Sequence, residues 1–235
     1  MTEIHKNSII RKEMNETRKE TPMKTAVLFD LDGTLWDSSA QVAASWDAAI
    51  RDMDLPYHVT QEMMYGFMGR TMNEIAYMLF DKEPKGRAVE LLRICTDYEN
   101  KYLENHGGVL YDGLAETLSE LKKDHFLAVI SNCQEGYIEA FYRFHDMGKY
   151  FDDLENNGRT GLGKSDNIKL LIERNKIERA VYVGDIMGDY ESATAAGIPF
   201  IHAAYGFGTV PEGTPKIDRF TDLPAVANRI LTSAL

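Results

Sequence analysis

An apolar run that ends on a carboxylate sets the first constraint on this chain. Thr25–Phe29 reads TAVLF, and DLDGTLW follows at once at residues 30–36. Continuous rather than alternating hydrophobicity is the pattern of a strand buried on both faces, as in the middle of a parallel sheet. Asp30 then stands at the carboxyl end of that strand, where open α/β sheets bind their ligands. Two further runs share the design. FLAVIS ends on Ser131, and AVYVGD ends on Asp185. Three polar residues from three strands are therefore expected along one sheet edge.

Helical patterns fill the intervals. Asp37, Ser38 and Ser39 are cap-type residues, and Val42, Trp46, Ala49, Ile50 and Met53 then recur at helical spacing. More helical pattern covers about 60–80 and 86–105, with no convincing strand between 38 and 105. After Gly107 and Gly108 the strand–helix rhythm resumes. Leu114, Leu118 and Leu121 mark a helix, another lies near 135–145, and Lys164–Asn175 places Ile168, Leu171 and Ile172 on one face. YESATAAG reads as a helix closed by Gly197, and PFIHA as a further strand. The fold class expected is α/β: a Rossmann-like parallel sheet with helices on both faces, plus an inserted all-helical domain. Residues 23–37 and 108–235 form the core, residues 38–107 the insert, with hinges near 36–38 and 106–113. Residues 1–22 read as a dispensable extension and are expected to be disordered.

Charge and cysteine usage exclude several functions. The net charge is −11, although residues 1–24 hold six Lys/Arg against four Glu. An acidic body argues against nucleic acid and anionic membranes as partners. No apolar run approaches the ~20 residues needed to span a bilayer. Cys95 and Cys133 make neither a disulfide framework nor a zinc set, which suits a reducing cytoplasm. Cys133 reads as a buried thiol. The six histidines have no metal-ligand spacing, and His202 reads as structural.

Asp30 and Asp32 flank a single leucine. With Asp185 and Asp189 the site gathers four carboxylates, which repel one another unless a cation or proton intervenes. Oxygen ligands of this kind suit Mg²⁺. A competing motif lies downstream. GRTGLGKS, residues 158–165, fits the phosphate-cradling P-loop pattern, and Asp185 could pass for its partner aspartate. A P-loop needs an apolar strand directly before Gly158, whereas the sequence there is YFDDLENN. That reading also leaves DLDGTL unused.

DLDGTL resembles the first motif of the haloacid dehalogenase (HAD) superfamily. VIS resembles the second, Lys164 stands in the place of the third, and GDIMGD resembles the fourth, G-D-x-x-x-D. The order matches, and the interval between the first two motifs is long enough for the helical-cap subfamily. VGDIMGDYESATAAGIPFIHAAYGFG is similar to bacterial phosphoglycolate phosphatase-like members. The resemblance covers about residues 24–210. One departure is that Ser165 and Asp166 follow Lys164 where many relatives have proline.

The resemblance implies a mechanism. Asp30 attacks phosphorus and forms an aspartyl-phosphate. Asp32 protonates the leaving alkoxide and then activates water. The Asp30 side chain, the Asp32 backbone carbonyl and Asp185 hold Mg²⁺, braced by Asp189. Ser131 donates to a phosphoryl oxygen, with Asn132 a further substrate contact, and Lys164 offsets negative charge. Gly33 and Thr34 turn the chain, and Thr34 orients a carboxylate. Arg70, in MGRTMNEI, either meets the substrate's carboxylate or leaving group or is simply solvated. Met63, Met64, Tyr65, Phe67 and Met68 read as packing.

The expected function is therefore an Mg²⁺-dependent, cytoplasmic phosphatase, monomer or homodimer, acting on a small phosphorylated metabolite such as phosphoglycolate. A phosphomutase of the β-phosphoglucomutase type is the alternative. A P-loop NTPase and a non-enzymatic phosphate-sensing protein are more remote.

Overall fold

A computed structural model describes residues 23–68 and 70–233. The expectation for residues 1–22 lies outside the described residues. Six parallel strands form the sheet, in the order β5-β4-β1-β6-β7-β8. At its centre β1 (Thr25–Phe29) pairs with β4 (Phe126–Ser131) on one side and β6 (Arg179–Gly184) on the other. Beyond them lie β5 (Asp153–Asn156), β7 (Phe200–Ala203) and β8 (Lys216–Ile217).

The continuous hydrophobicity of the central strands is explained by cover on both faces. Val27, Phe29, Val129 and Val183 point to the side of α5 (Leu114–Leu121), α6 (Tyr137–His145) and α10 (Leu223–Thr232). Ala26, Leu28, Ile130 and Tyr182 point to α8 (Lys164–Asn175) and α9 (Met187–Ala196). Phe29 is fully buried and meets the rings of Phe151 and Phe220. Truncating such a residue to alanine costs about 3–5 kcal/mol.

Between β1 and β4 the chain leaves through β2 (Trp36–Asp37) and returns through β3 (Val109–Leu110). These two pair antiparallel, Trp36 opposite Leu110, so exit and return run side by side. The excursion carries α1 (Ser39–Asp52), α2 (Gln61–Phe67), α3 (Met72–Leu79) and α4 (Lys85–His106). The apolar spacing seen in α1 buries Val42, Trp46, Ala49 and Ile50 in the core. The helical pattern over about 60–80 is two helices, because Thr71 opens α3 with a reciprocal Thr71–Glu74 capping box.

β5, β8 and α10 were not legible in the pattern, and neither were the two-residue strands β2 and β3. β5 corrects the reading of YFDDLENN, since the DLEN portion is a strand. It is an edge strand with polar residues, held by Arg174, whose guanidinium meets Asp153 at 2.8 and 2.9 Å and also Glu155. No helix among the described residues is long and apolar enough to cross a membrane.

Candidate active site

The ends of β1 and β6 bring the acids together. The Asp30 N–H still donates to the Val183 carbonyl at 2.8 Å, so its side chain emerges at the last rung of the ladder. Gly33 then turns the chain at φ 79°, and a Cβ there would lie 2.0 Å from Asp185 Oδ2. Only glycine permits both that backbone and that approach.

Lys164, the first residue of α8, is 4% exposed. Its Nζ donates to Asp30 Oδ1 at 2.7 Å and to Asp189 Oδ1 at 2.5 Å. The other Asp189 oxygen accepts from the backbone N–H groups of Asp185 (3.1 Å) and Ile186 (3.2 Å). Asp189 thus braces the turn that presents Asp185. Asp185 Oδ2 accepts from the Phe207 N–H at 2.7 Å, whereas its Oδ1 is buried with no hydrogen-bond partner. His202 Nε2 lies 3.1 Å from the Asp185 carbonyl oxygen, a contact that steadies the end of the strand.

Carboxylate oxygens of Asp30, Asp185 and Asp189 lie within 4.8 Å of one another. Burial and then the charge of Asp189 push the Asp30 carboxyl up to about 7, against the pull of Lys164. Burial, Asp189 and Asp30 push Asp185 up to about 8. Burial works against the Lys164 charge, yet Asp189 and Asp30 hold its pKa well above the ordinary value. One ammonium does not balance three buried acids. The orphaned Asp185 Oδ1 and the hard oxygen donors fit an Mg²⁺ ion.

The Asp32 side chain is not part of that cluster. Its Oδ1 accepts from Trp36 Nε1 (2.9 Å), Ser38 Oγ (2.6 Å) and the Tyr137 hydroxyl (2.8 Å). Burial raises its pKa, while the bonds from Ser38, Tyr137 and Trp36 oppose the rise. Trp36 and Ser38 follow the motif by a few residues. Tyr137 lies on α6, where no sequence pattern marks it. Thr34 does not orient a carboxylate: its buried hydroxyl has no partner.

Ser131, Asn132, Lys164, Asp30 and Asp32 line a cavity of about 50 Å³ beneath α1–α4. Arg70 borders it but is exposed, with Nε donating to the Gly66 carbonyl at 2.9 Å. Of the cap residues read as packing, Met64 and Phe67 are buried and also line the cavity. Tyr65 is half-exposed, and its ring meets that of Phe207 in the core, centroids 5.3 Å apart. Glu99, not singled out in the sequence, also lines the cavity and is 3% exposed. Cys133 is buried, and burial holds its thiol well above its ordinary pKa.

The P-loop reading fails on geometry. Residues after β5 form a short helix, α7 (Asn157–Thr160). Three backbone N–H groups of the motif bond within the chain instead: Gly158 to the Cys133 carbonyl, Gly161 to the Asn157 carbonyl and Leu162 to Thr160 Oγ1. The lysine of that motif instead joins the aspartate pair.

The family model described as haloacid dehalogenase-like hydrolase matches residues 27–203. A phosphoglycolate phosphatase of Escherichia coli (strain K12) is 27% identical over 210 residues, covering 77% of this chain and 81% of that one. Among solved structures, a haloacid dehalogenase-like hydrolase from Bacteroides fragilis superposes with a TM-score of 0.73 at 25% identity, over 85% of this chain and 99% of that one. CbbY from Rhodobacter sphaeroides, in complex with phosphate, shares the fold at a TM-score of 0.74 and 21% identity, over 88% and 100% of the two chains.

Proposed function

The chain belongs to the haloacid dehalogenase-like hydrolase family, and from that premise we propose that it is an Mg²⁺-dependent phosphatase acting on a small phosphomonoester. One observation carries the reading. Lys164 bridges Asp30 and Asp189, while Asp32 is held separately by three neutral donors. Two aspartates in different environments take different roles. The phosphatase relatives support the same reaction.

Asp30 attacks phosphorus, displacing the alkoxide and forming an aspartyl-phosphate. Asp32 gives its proton to the departing oxygen, then takes one from the water that cleaves the acyl phosphate. Lys164 and Ser131 face the phosphoryl oxygens and offset the charge of the transition state. Asp30 and Asp185 would hold Mg²⁺, which neutralises phosphoryl charge when bound. Helices α1–α4 form a cap over the site and exclude water. Both cysteines are free, in keeping with a reducing cytoplasm.

Phosphate release from p-nitrophenyl phosphate and a panel of metabolite esters, with Mg²⁺ and with EDTA, tests the reading. Free phosphate is expected only with Mg²⁺, and sugar phosphates should yield phosphate rather than isomers. Asp30→Asn should abolish turnover while circular dichroism stays unchanged. Retained turnover in that variant would falsify the nucleophile assignment.

A further inference from the structure

The cap-side wall of the cavity holds a carboxyl group that the reaction does not use. Glu99 sits on α4, 3% exposed. Its partners are neutral: Trp46 Nε1 donates to Oε2, and the Gln134 amide faces it. No cation stands among the groups that set its proton affinity. Burial, reinforced by the charge of Asp32, pushes its pKa up to about 8. Arg70 is not its counter-ion, being exposed and bonded to Gly66. A carboxylate buried without a positive partner is costly, and an apolar residue in its place carries no such cost.

The remaining wall narrows what could partner it. The Trp46 and Phe67 rings stack, centroids 6.3 Å apart, with Met64 and Met72 beside them. Aromatic faces and thioethers offer a polyol few hydrogen-bond partners. They attract a cation, above all when it is desolvated beside an acid. The cavity is small, so the cation must lie within a short chain of the phosphate.

We infer that Glu99 selects the leaving group, and that the substrate is the phosphomonoester of a small amino alcohol whose ammonium meets Glu99 and the Trp46 and Phe67 rings. This rests on the phosphatase reading and deepens it. The phosphate occupies the Asp30 end and the amine the α4 end of one cavity. A carboxylate leaving group, as in phosphoglycolate, offers Glu99 no positive partner.

The test compares kcat/KM, with Mg²⁺, for aminoethyl phosphate, choline phosphate, phosphoglycolate, glycerol phosphate and p-nitrophenyl phosphate. The full chain should prefer an amino-alcohol ester over phosphoglycolate by about tenfold or more. Glu99→Gln, which keeps the shape and cannot ionise to pair with an ammonium, should erase that preference. Preference of the unaltered protein for phosphoglycolate or glycerol phosphate overturns the inference, as does an unchanged ratio in a folded Glu99→Gln protein. Silence toward every ester, p-nitrophenyl phosphate included, overturns the phosphatase reading itself and this inference with it.

Discussion

Lys164 lies between Asp30 and Asp189, 2.7 Å from one carboxylate oxygen and 2.5 Å from the other, and joins the end of β1 to the first turn of α9. Its ammonium is what allows two acids to share a dry site. Lys164→Met keeps the stem and removes the charge. The variant should lose roughly 10²–10³ in kcat. Without metal it should lose about 3–5 kcal/mol of stability, because two buried acids are left uncompensated. Thermal melts should then respond to Mg²⁺ more strongly than those of the unaltered protein.

Stability in EDTA should fall as pH rises. Asp30 is raised from 3.8 to about 7, Asp185 from 3.8 to about 8, and Glu99 from 4.5 to about 8. A carboxyl raised on folding contributes stability that is whole below its unfolded pKa and lost as pH passes the folded one. Each group adds up to about 1.4 kcal/mol per pH unit inside its window. Melts from pH 4 to 9 should slope downward, Mg²⁺ should flatten the part owed to Asp30 and Asp185, and Glu99→Gln should flatten the rest. A flat profile in EDTA would contradict the burial argument.

Gly33→Ala should damage the site from the backbone outward. The added Cβ meets Asp185 Oδ2 at 2.0 Å and the Phe207 ring at 2.8 Å, at φ 79°. A loss of about 1–3 kcal/mol is expected. Isothermal titration should also find weaker Mg²⁺ binding, since Asp185 must move.

Tyr137→Phe removes one of the three donors to Asp32 Oδ1 and the hydroxyl 2.7 Å from Ser38 Oγ. Donors to a carboxylate favour its charged form, so their loss raises the pKa. The pH–rate profile should move to higher pH, with stability lowered by about 1 kcal/mol. An unshifted profile would mean that Asp32 does not titrate in the measured step.

The central strands and their terminal residues were readable because burial on both faces leaves an uninterrupted apolar run, as in β1, β4 and β6. The edges were not. β5 reads DLEN and owes its place to backbone pairing with β4 and to Arg174, neither of which leaves a hydrophobic pattern. The site divides in the same way. Asp30, Asp185 and Lys164 announce themselves through motif order. Tyr137 and Glu99 act through tertiary proximity, 105 residues from Asp32 and 53 from Trp46 respectively. Asp189 was legible as an acid in a first helical turn. That both its oxygens are engaged by Lys164 and two backbone amides was not.

Phe207 faces two ways: its N–H grips Asp185, and its ring touches Tyr65 on α2. A displacement of α2 would therefore pull on the residue that orients Asp185, one of the acids proposed to hold Mg²⁺. Thermodynamic reciprocity requires any such coupling to run equally in both directions. Any ester that tightens Mg²⁺ by drawing α2 down must itself be tightened by Mg²⁺ to the same degree. Titrating inorganic phosphate at several Mg²⁺ concentrations, before and after Tyr65→Ala, measures the coupling and whether this ring carries it.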